Sequence, residues 1–254
     1  MDRVCPIMCL IVYLFFPLQA QTHDQNRADE KNNTLKVRQL PKHLVYDLYE
    51  SFGGTQAVYF VSAAGGSLAF YPLDHTVSHY LSQHPLLSQS FDKTWGKATE
   101  PLIIAGGTIA TWGLAILLQD DTLSRAMESS IESFVLSMTI ATGLKYGVDR
   151  ERPNGEDHSL PSGHTTAAFS TASVLTSFYG YQVGVPAFLL ASLTALTRLD
   201  QNEHYLTDVL LGMTIGTTIG IGTAQYHKKS KERTAFLTPL IYEKGFGLIY
   251  YRFF

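Results

Sequence analysis

Cysteine is almost absent from this chain. The only two, Cys5 and Cys9, fall inside the first apolar segment. If that segment is removed on export, no thiol remains, which excludes disulfides, thiolate–metal sites and sulfur nucleophiles. Charge is scarce too: Asp, Glu, Lys and Arg make up 16% of the residues, where a quarter is usual. There is no basic excess either. The 19 Lys and Arg against 22 Asp and Glu leave a net charge of -3, which gives no footing for nucleic acid.

What is present is apolar and mostly small. Hydrophobic residues reach 45%, although the mean hydropathy of +0.03 is low for a bundle of long membrane spans. The stretch "MDRVCPIMCLIVYLFFPLQA" has a charged head at Arg3, an apolar middle over Ile7–Phe16 and a small residue, Ala20. It reads as an export signal over residues 1–20. Residues 21–45 are polar and aperiodic, and are expected to form a flexible leader. A helical domain is expected over 46–234, with its motif-bearing core at 100–226, followed by an aromatic tail at 235–254. Two β-favouring runs flank Glu243-Lys244-Gly245 in that tail, the pattern of a short hairpin.

Helical signals recur along the domain. "VYFVSAAGGSLAFYPL" fits a short helix. Pro101–Gln119 is uncharged and opens with proline, which suits a first helical turn. Further helices are expected over Ile131–Arg150, over two segments within Thr165–Thr197 split near "YGYQVG", and over Tyr205–Tyr226. The expected fold class is all-α, a bundle of about five to six core helices. The 19-residue uncharged runs at Pro101–Gln119 and Val209–His227 are long enough to cross a bilayer. Charge placement is less decisive: five spans from Pro101 onward would put the basic "KKSKER" inside, but the acidic stretch Asp120–Glu128 sits poorly as a loop of that topology.

Three short stretches carry chemistry. In "KYGVDRERP", Lys145 and Arg152 are seven residues apart, which on a continuous helix would put both cations on one face. Arg150 lies nearby and is a second candidate to reach an anion. In "LPSGHTTAAF", Ser162 and Gly163 precede an apolar helix whose first amides lack partners and favour an anion, with His164 beside it. In "TRLDQNEHYLTD", His204 and Asp208 are one helical turn apart, so the carboxylate could fix the imidazole tautomer; Arg198 precedes them. Taken singly, each has a bland reading as a solvated helix end, a serine cap or a surface His–Asp pair.

Taken together, the spacings Lys-x6-Arg-Pro, Pro-Ser-Gly-His and Arg-x5-His-x3-Asp occur in order, each at a helix edge. Here the sequence resembles the type 2 phosphatidic acid phosphatase and vanadium-dependent haloperoxidase superfamily, over about residues 100–226. One departure is visible, since Thr197 stands where the third motif normally has serine. The resemblance implies that Lys145, Arg152 and Arg198 bind phosphoryl oxygens, with Ser162 and the Gly163 amide completing the cradle. It implies that His204 attacks phosphorus, that Asp208 orients His204, and that His164 is the acid and then the base. No metal or other cofactor is implied, and vanadate is expected to act as an inhibitor or phosphate mimic.

The expected function is therefore an exported phosphatase of phosphomonoesters or pyrophosphates, working through a phosphohistidine. A lipid phosphate is the expected substrate, with the protein in the envelope membrane and its active site facing outward. A soluble periplasmic acid phosphatase and a vanadate-dependent haloperoxidase stand as alternatives. His75, His79 and His84 could be read as metal ligands, but no acidic partner follows at ligand spacing, and a solvated surface is expected. His158 and Glu156 sit in the loop joining the first two motifs and could line the substrate entrance.

Overall fold

The structure, a computed structural model, describes the backbone of residues 33–34, 40–229, 234–242 and 245–252, and side chains between residues 45 and 228. The expected export signal at residues 1–20 lies outside the described residues, as does most of the leader. Within the leader there is a two-residue strand, β1 (Asn33–Thr34), and α1 (Leu40–Phe52) begins five residues before the expected end at 45. The reason α1 escapes a hydropathy reading is visible in its burial. Its inward face holds Asp47 and Ser51, both fully buried, while Val45 and Tyr49 are exposed, so the apolar residues do not mark the buried side.

α2 (Gly54–Ala69) and a short 3-10 turn over Tyr71–Leu73 lead into α3 (Asp74–Gln83). α4 (Gln89–Ala98) is capped by Ser88, whose hydroxyl accepts from the Phe91 amide. α5 (Pro101–Leu118) opens on the expected proline and closes with Gln119 in the left-handed region, φ 56°. α6 (Asp121–Val148) is longer than the expected Ile131–Arg150 at its start. Asp120 caps it, accepting from the Leu123 amide at 2.9 Å. The stretch Asp120–Glu128, expected as an acidic loop, is thus the cap and first turns of a helix, where carboxylates favour the positive dipole end.

α7 (Gly163–Tyr179) and α8 (Tyr181–Asp200) meet at Gly180, where φ of 74° gives the sharp break expected near "YGYQVG". α9 (Leu206–Lys229) completes the bundle. Strands β2 (Thr234–Tyr242) and β3 (Gly245–Arg252) pair antiparallel from Ala235↔Arg252 to Tyr242↔Gly245, in keeping with the expected hairpin, and β1 adds to β2 in parallel. The fold class is all-α with this small sheet appended.

α9 is the central helix, packed against α1, α2, α6 and α7. Gly212, Gly216 and Gly220 recur every fourth residue along its α7-facing side. A Cβ at these positions would run into the carbonyl oxygens of Ser162, Thr166 and Ser170 respectively. The backbones approach closely because no side chain intervenes. Leu136, Leu211, Ile215 and Ile219 form the apolar core, and hydroxyls knit the rest: Ser133 and Ser170 oxygens are 2.7 Å apart, Ser67 and Thr214 3.3 Å.

Short connections make sequential helices antiparallel neighbours. Consequently the start of α5, the end of α6, the start of α7, the end of α8 and the start of α9 collect at one end of the bundle. Among the described residues, three helices are long and apolar enough to cross a membrane: Pro101–Leu118, Tyr181–Asp200 and Leu206–Lys228. α5 is almost wholly uncovered, with Leu102 77% and Leu117 74% exposed.

Candidate active site

All three motifs reach that common end. Lys145 occupies the last turn of α6, and its Nζ donates to the His158 carbonyl at 2.6 Å. Burial, then the Arg152 charge, lowers its pKa to about 8. Arg152 does not share a helical face with it, contrary to expectation. α6 stops at Val148, Asp149 adopts φ 48°, and Pro153 disfavours helix at Arg152. The following loop turns back so that the two cations still feel each other. Arg152 Nη1 lies 2.7 Å from Glu156 Oε2 and 3.1 Å from Glu203 Oε2. Its Nε is buried with no hydrogen-bond partner among the described residues.

Arg150 does something different. Its two arms hold Asp208 and Asp74, each at 2.7 Å. The guanidinium stacks near Tyr71 and Tyr205, 5.0 and 4.2 Å from the ring centres. With both arms committed to carboxylates, it braces the site and has neither arm free for an anion. Asp74 also accepts from the Thr207 amide at 2.8 Å, and Asp208 from the Tyr205 amide at 2.8 Å and from the Ser159 hydroxyl. Two of the orphan amides at the start of α9 are satisfied this way.

His204 precedes α9 and is 3% exposed. Burial above all, with the Lys145 and Arg152 charges, lowers its pKa to about 4 against the opposing pull of Asp208. The ring is therefore neutral at pH 7. Its Nδ1 stands 3.8 Å from Asp208 Oδ2, ion-pair range and too long for a hydrogen bond. The orienting bond implied for Asp208 is not closed at this distance, because its oxygens are already held by Arg150, Ser159 and the Tyr205 amide.

Ser162 is the fully buried residue before α7; its amide donates to the Asp208 carbonyl at 3.0 Å, and its Oγ accepts from Thr165 at 3.0 Å. Gly163 is buried, and a Cβ there would touch Met138 at 3.4 Å. His164, in the first turn of α7, has Nε2 2.9 Å from Glu100 Oε2. Burial first and Arg198 second lower its pKa, while Glu100 raises it. Arg198, in the last turn of α8, is 4% exposed, and its Nε has no partner among the described residues. Gly96 on α4 leaves the space that its guanidinium fills.

Glu203 links the group. Besides its Arg152 contact, its charge acts on Lys145, His164 and Arg198. A cleft of about 600 Å³ opens beside it, lined among others by Lys93, Lys97, Glu100, His164, Arg198 and Glu203. Glu100, Glu203, Asp74, Ser159 and Gly96 were not marked by any motif. Glu100, directly before the helix-opening Pro101, and Glu203, inside the third stretch, had positional signals. His75, His79 and His84 are exposed, as expected of a solvated surface. His158 instead lies by Asp149, with Nδ1 2.9 Å from Oδ1.

Such an arrangement suits a tetrahedral oxyanion. Leaving a buried donor without a partner costs roughly 1–3 kcal/mol, and here two guanidinium nitrogens bear that cost beside the buried His204 and the half-buried His164. Known proteins point the same way. Residues 129–232 match the PAP2 superfamily. A lipid A 1-phosphatase of Porphyromonas gingivalis is 33% identical over 105 residues, 38% of this chain and 24% of that protein's length. The fold is similar to that of Aquifex aeolicus LpxE (TM-score 0.50, 22% identity, 61% of this chain and 96% of that one). It is also similar to that of a transmembrane PAP2-type phosphatidylglycerolphosphate phosphatase of Bacillus subtilis (TM-score 0.52, 18% identity, 72% and 98%). The matched residues 129–232 hold Lys145, His164 and His204 with all three motifs, so the likeness to the PAP2 superfamily rests on the segment that builds this site.

Proposed function

We propose that the protein is an exported membrane phosphatase that removes a phosphate from a lipid, using a histidine nucleophile and no metal in the chemistry. The observation that carries this reading is the collection of Lys145, Arg152 and Arg198 around the buried His204 and the half-buried His164 at one end of the bundle. Phosphoryl transfer needs positioning and charge stabilisation on the equatorial oxygens, which three cations and the Gly163 amide can supply.

In this mechanism Nε2 of neutral His204, the nitrogen turned away from Asp208, attacks phosphorus. The P–O bond to the alcohol breaks, its electrons leave with the oxygen, and His164 donates the proton. His164 then takes a proton from water, whose oxygen attacks the phosphohistidine; the P–N bond breaks and phosphate departs. Burial lowers the His164 pKa, and the incoming phosphate dianion opposes that shift, restoring the acid when substrate is present.

The lipid assignment is supported by the apolar surfaces of α5 and α8, which suit a bilayer, by Lys93 and Lys97 at the cleft for an anionic headgroup, and by the lipid A 1-phosphatase likeness. An outward-facing site follows if the N-terminal segment directs export and the basic stretch after α9 stays inside. The test is phosphate release from lipid A, phosphatidic acid, an isoprenyl pyrophosphate and a water-soluble monoester by reconstituted protein. A lipid should be preferred, vanadate should compete with it, and His204→Ala should lower the rate roughly a thousandfold or more. Equal rates for wild type and variant would overturn the mechanism. Release of the protein by osmotic shock without detergent would replace it with a soluble acid phosphatase.

A further inference from the structure

A second polar cluster lies away from the cleft. Asp47 on α1, Glu132 on α6 and His227 on α9 are all buried, and one potential ligand atom from each lies within 4.8 Å of the others. Glu132 Oε2 and His227 Nε2 are 2.7 Å apart. Along α9, His227 stands about 28 Å from Asp208, and along α6 Glu132 stands about 20 Å from Lys145, at 1.5 Å per residue. None of the three can serve the phosphate site.

The packing builds this cluster deliberately. Gly222 lets α1 settle onto α9, since a Cβ there would collide with Ser51, and Tyr46 stacks on Tyr226 with ring centres 5.9 Å apart. Both contacts press the Asp47 turn against the His227 turn. Asp47 is 0% exposed, and neither of its carboxylate oxygens accepts a hydrogen bond from a described donor. Asp47 and Glu132 face each other, and two buried carboxyl groups so placed must share a proton or a cation.

We propose that Asp47, Glu132 and His227 form a structural binding site for one divalent transition-metal ion, zinc foremost. Two carboxylates and one neutral imidazole balance a double positive charge and are a ligand set that zinc accepts. At bond lengths of about 2.0–2.2 Å, a tetrahedral ion holds its ligand atoms roughly 3.3–3.6 Å apart, so the Glu132–His227 pair would open from 2.7 Å while Asp47 closes from within 4.8 Å. A fourth position is left for water. The ion would tie α1 to α6 and α9 at the end of the bundle remote from the chemistry. It would act on folding and not on the phosphoryl step.

The test uses the full chain purified in detergent without added metal. Elemental analysis should find close to one zinc per chain. A strong chelator should remove it and lower the Tm by several degrees, and zinc alone, added back, should restore the Tm. Asp47→Asn should reduce zinc content at least tenfold. The variant should share the Tm of chelated wild type and not respond to added zinc, and if the variant fails to accumulate the wild-type measurement alone is decisive. Sub-stoichiometric metal together with a Tm indifferent to chelator and zinc would overturn the proposal. A Tm that responds to pH but not to metal would overturn it also, by showing that a shared proton neutralises the pair. Because content and Tm are read without phosphatase activity, failure here and failure of the catalytic reading remain distinct.

Discussion

Arg150 and Asp208 are joined at 2.7 Å, and the same guanidinium holds Asp74 at 2.7 Å on its other arm. One side chain therefore clamps α3 to the start of α9, where His204 sits. Both aspartates are 0% exposed. Arg150→Ala should leave two buried charges uncompensated, with a loss of about 3–5 kcal/mol, measured as a fall in Tm. Arg152, whose partners Glu156 and Glu203 are partly exposed, should behave differently. Arg152→Ala should change stability by at most about 1 kcal/mol while raising the KM for substrate. If the two variants lost stability alike, the division of labour between these arginines would be wrong.

Glu100 sets the acid. It raises the pKa of His164 against burial and Arg198, which lower it. Replacing Glu100 with Gln keeps a hydrogen-bonding side chain but removes the charge, so the imidazolium gives up its proton at lower pH. The alkaline limb of kcat/KM should move to lower pH in Glu100→Gln. Lys145, with a pKa of about 8, should cause a further decline above that value in both proteins. An alkaline limb that stays put would separate Glu100 from the proton donor.

Gly96 makes room for Arg198. A methyl group there meets the guanidinium Nη2, the movable end of a side chain and not backbone. Gly96→Ala should thus raise KM several-fold through a displaced Arg198, with the Tm nearly unchanged. A large drop in Tm with KM intact would reverse this assignment.

Gly216 is the opposite case, because its missing Cβ faces the backbone carbonyl of Thr166. Gly216→Ala has to push α7 and α9 apart and should cost about 1–3 kcal/mol. Gly143, on α6 with open space around it, is the control, and Gly143→Ala should be neutral or stabilising by roughly 0.5–1 kcal/mol. Similar losses at both positions would mean that close helix approach is not what Gly216 provides.

The helices of the motif-bearing half were legible because their apolar runs end in proline, glycine or capping residues at the points where the chain turns. α1 was not, since Asp47 and Ser51 face inward and hydropathy counts them as surface. The first turns of α6 were misjudged for a related reason: Asp120 and Asp121 look like a loop but are a cap. At the site, three motifs announced the cations and histidines, while the groups that orient them were silent. Asp74 is some 70 residues from any motif and becomes Arg150's partner only through the fold. Glu203, between Arg198 and His204, was in plain view, but its reach to Lys145 and His164 depends on how the loop before α9 bends.

The residues proposed to handle phosphate sit where helices end, not midway along them. For a lipid whose chains stay among α5 and its neighbours, the headgroup then meets the enzyme at the water boundary without leaving the sheet of lipid. On the proposed lipid substrate, encounter would become a two-dimensional search, and turnover would follow the surface density of substrate in its leaflet more closely than its bulk amount in the suspension.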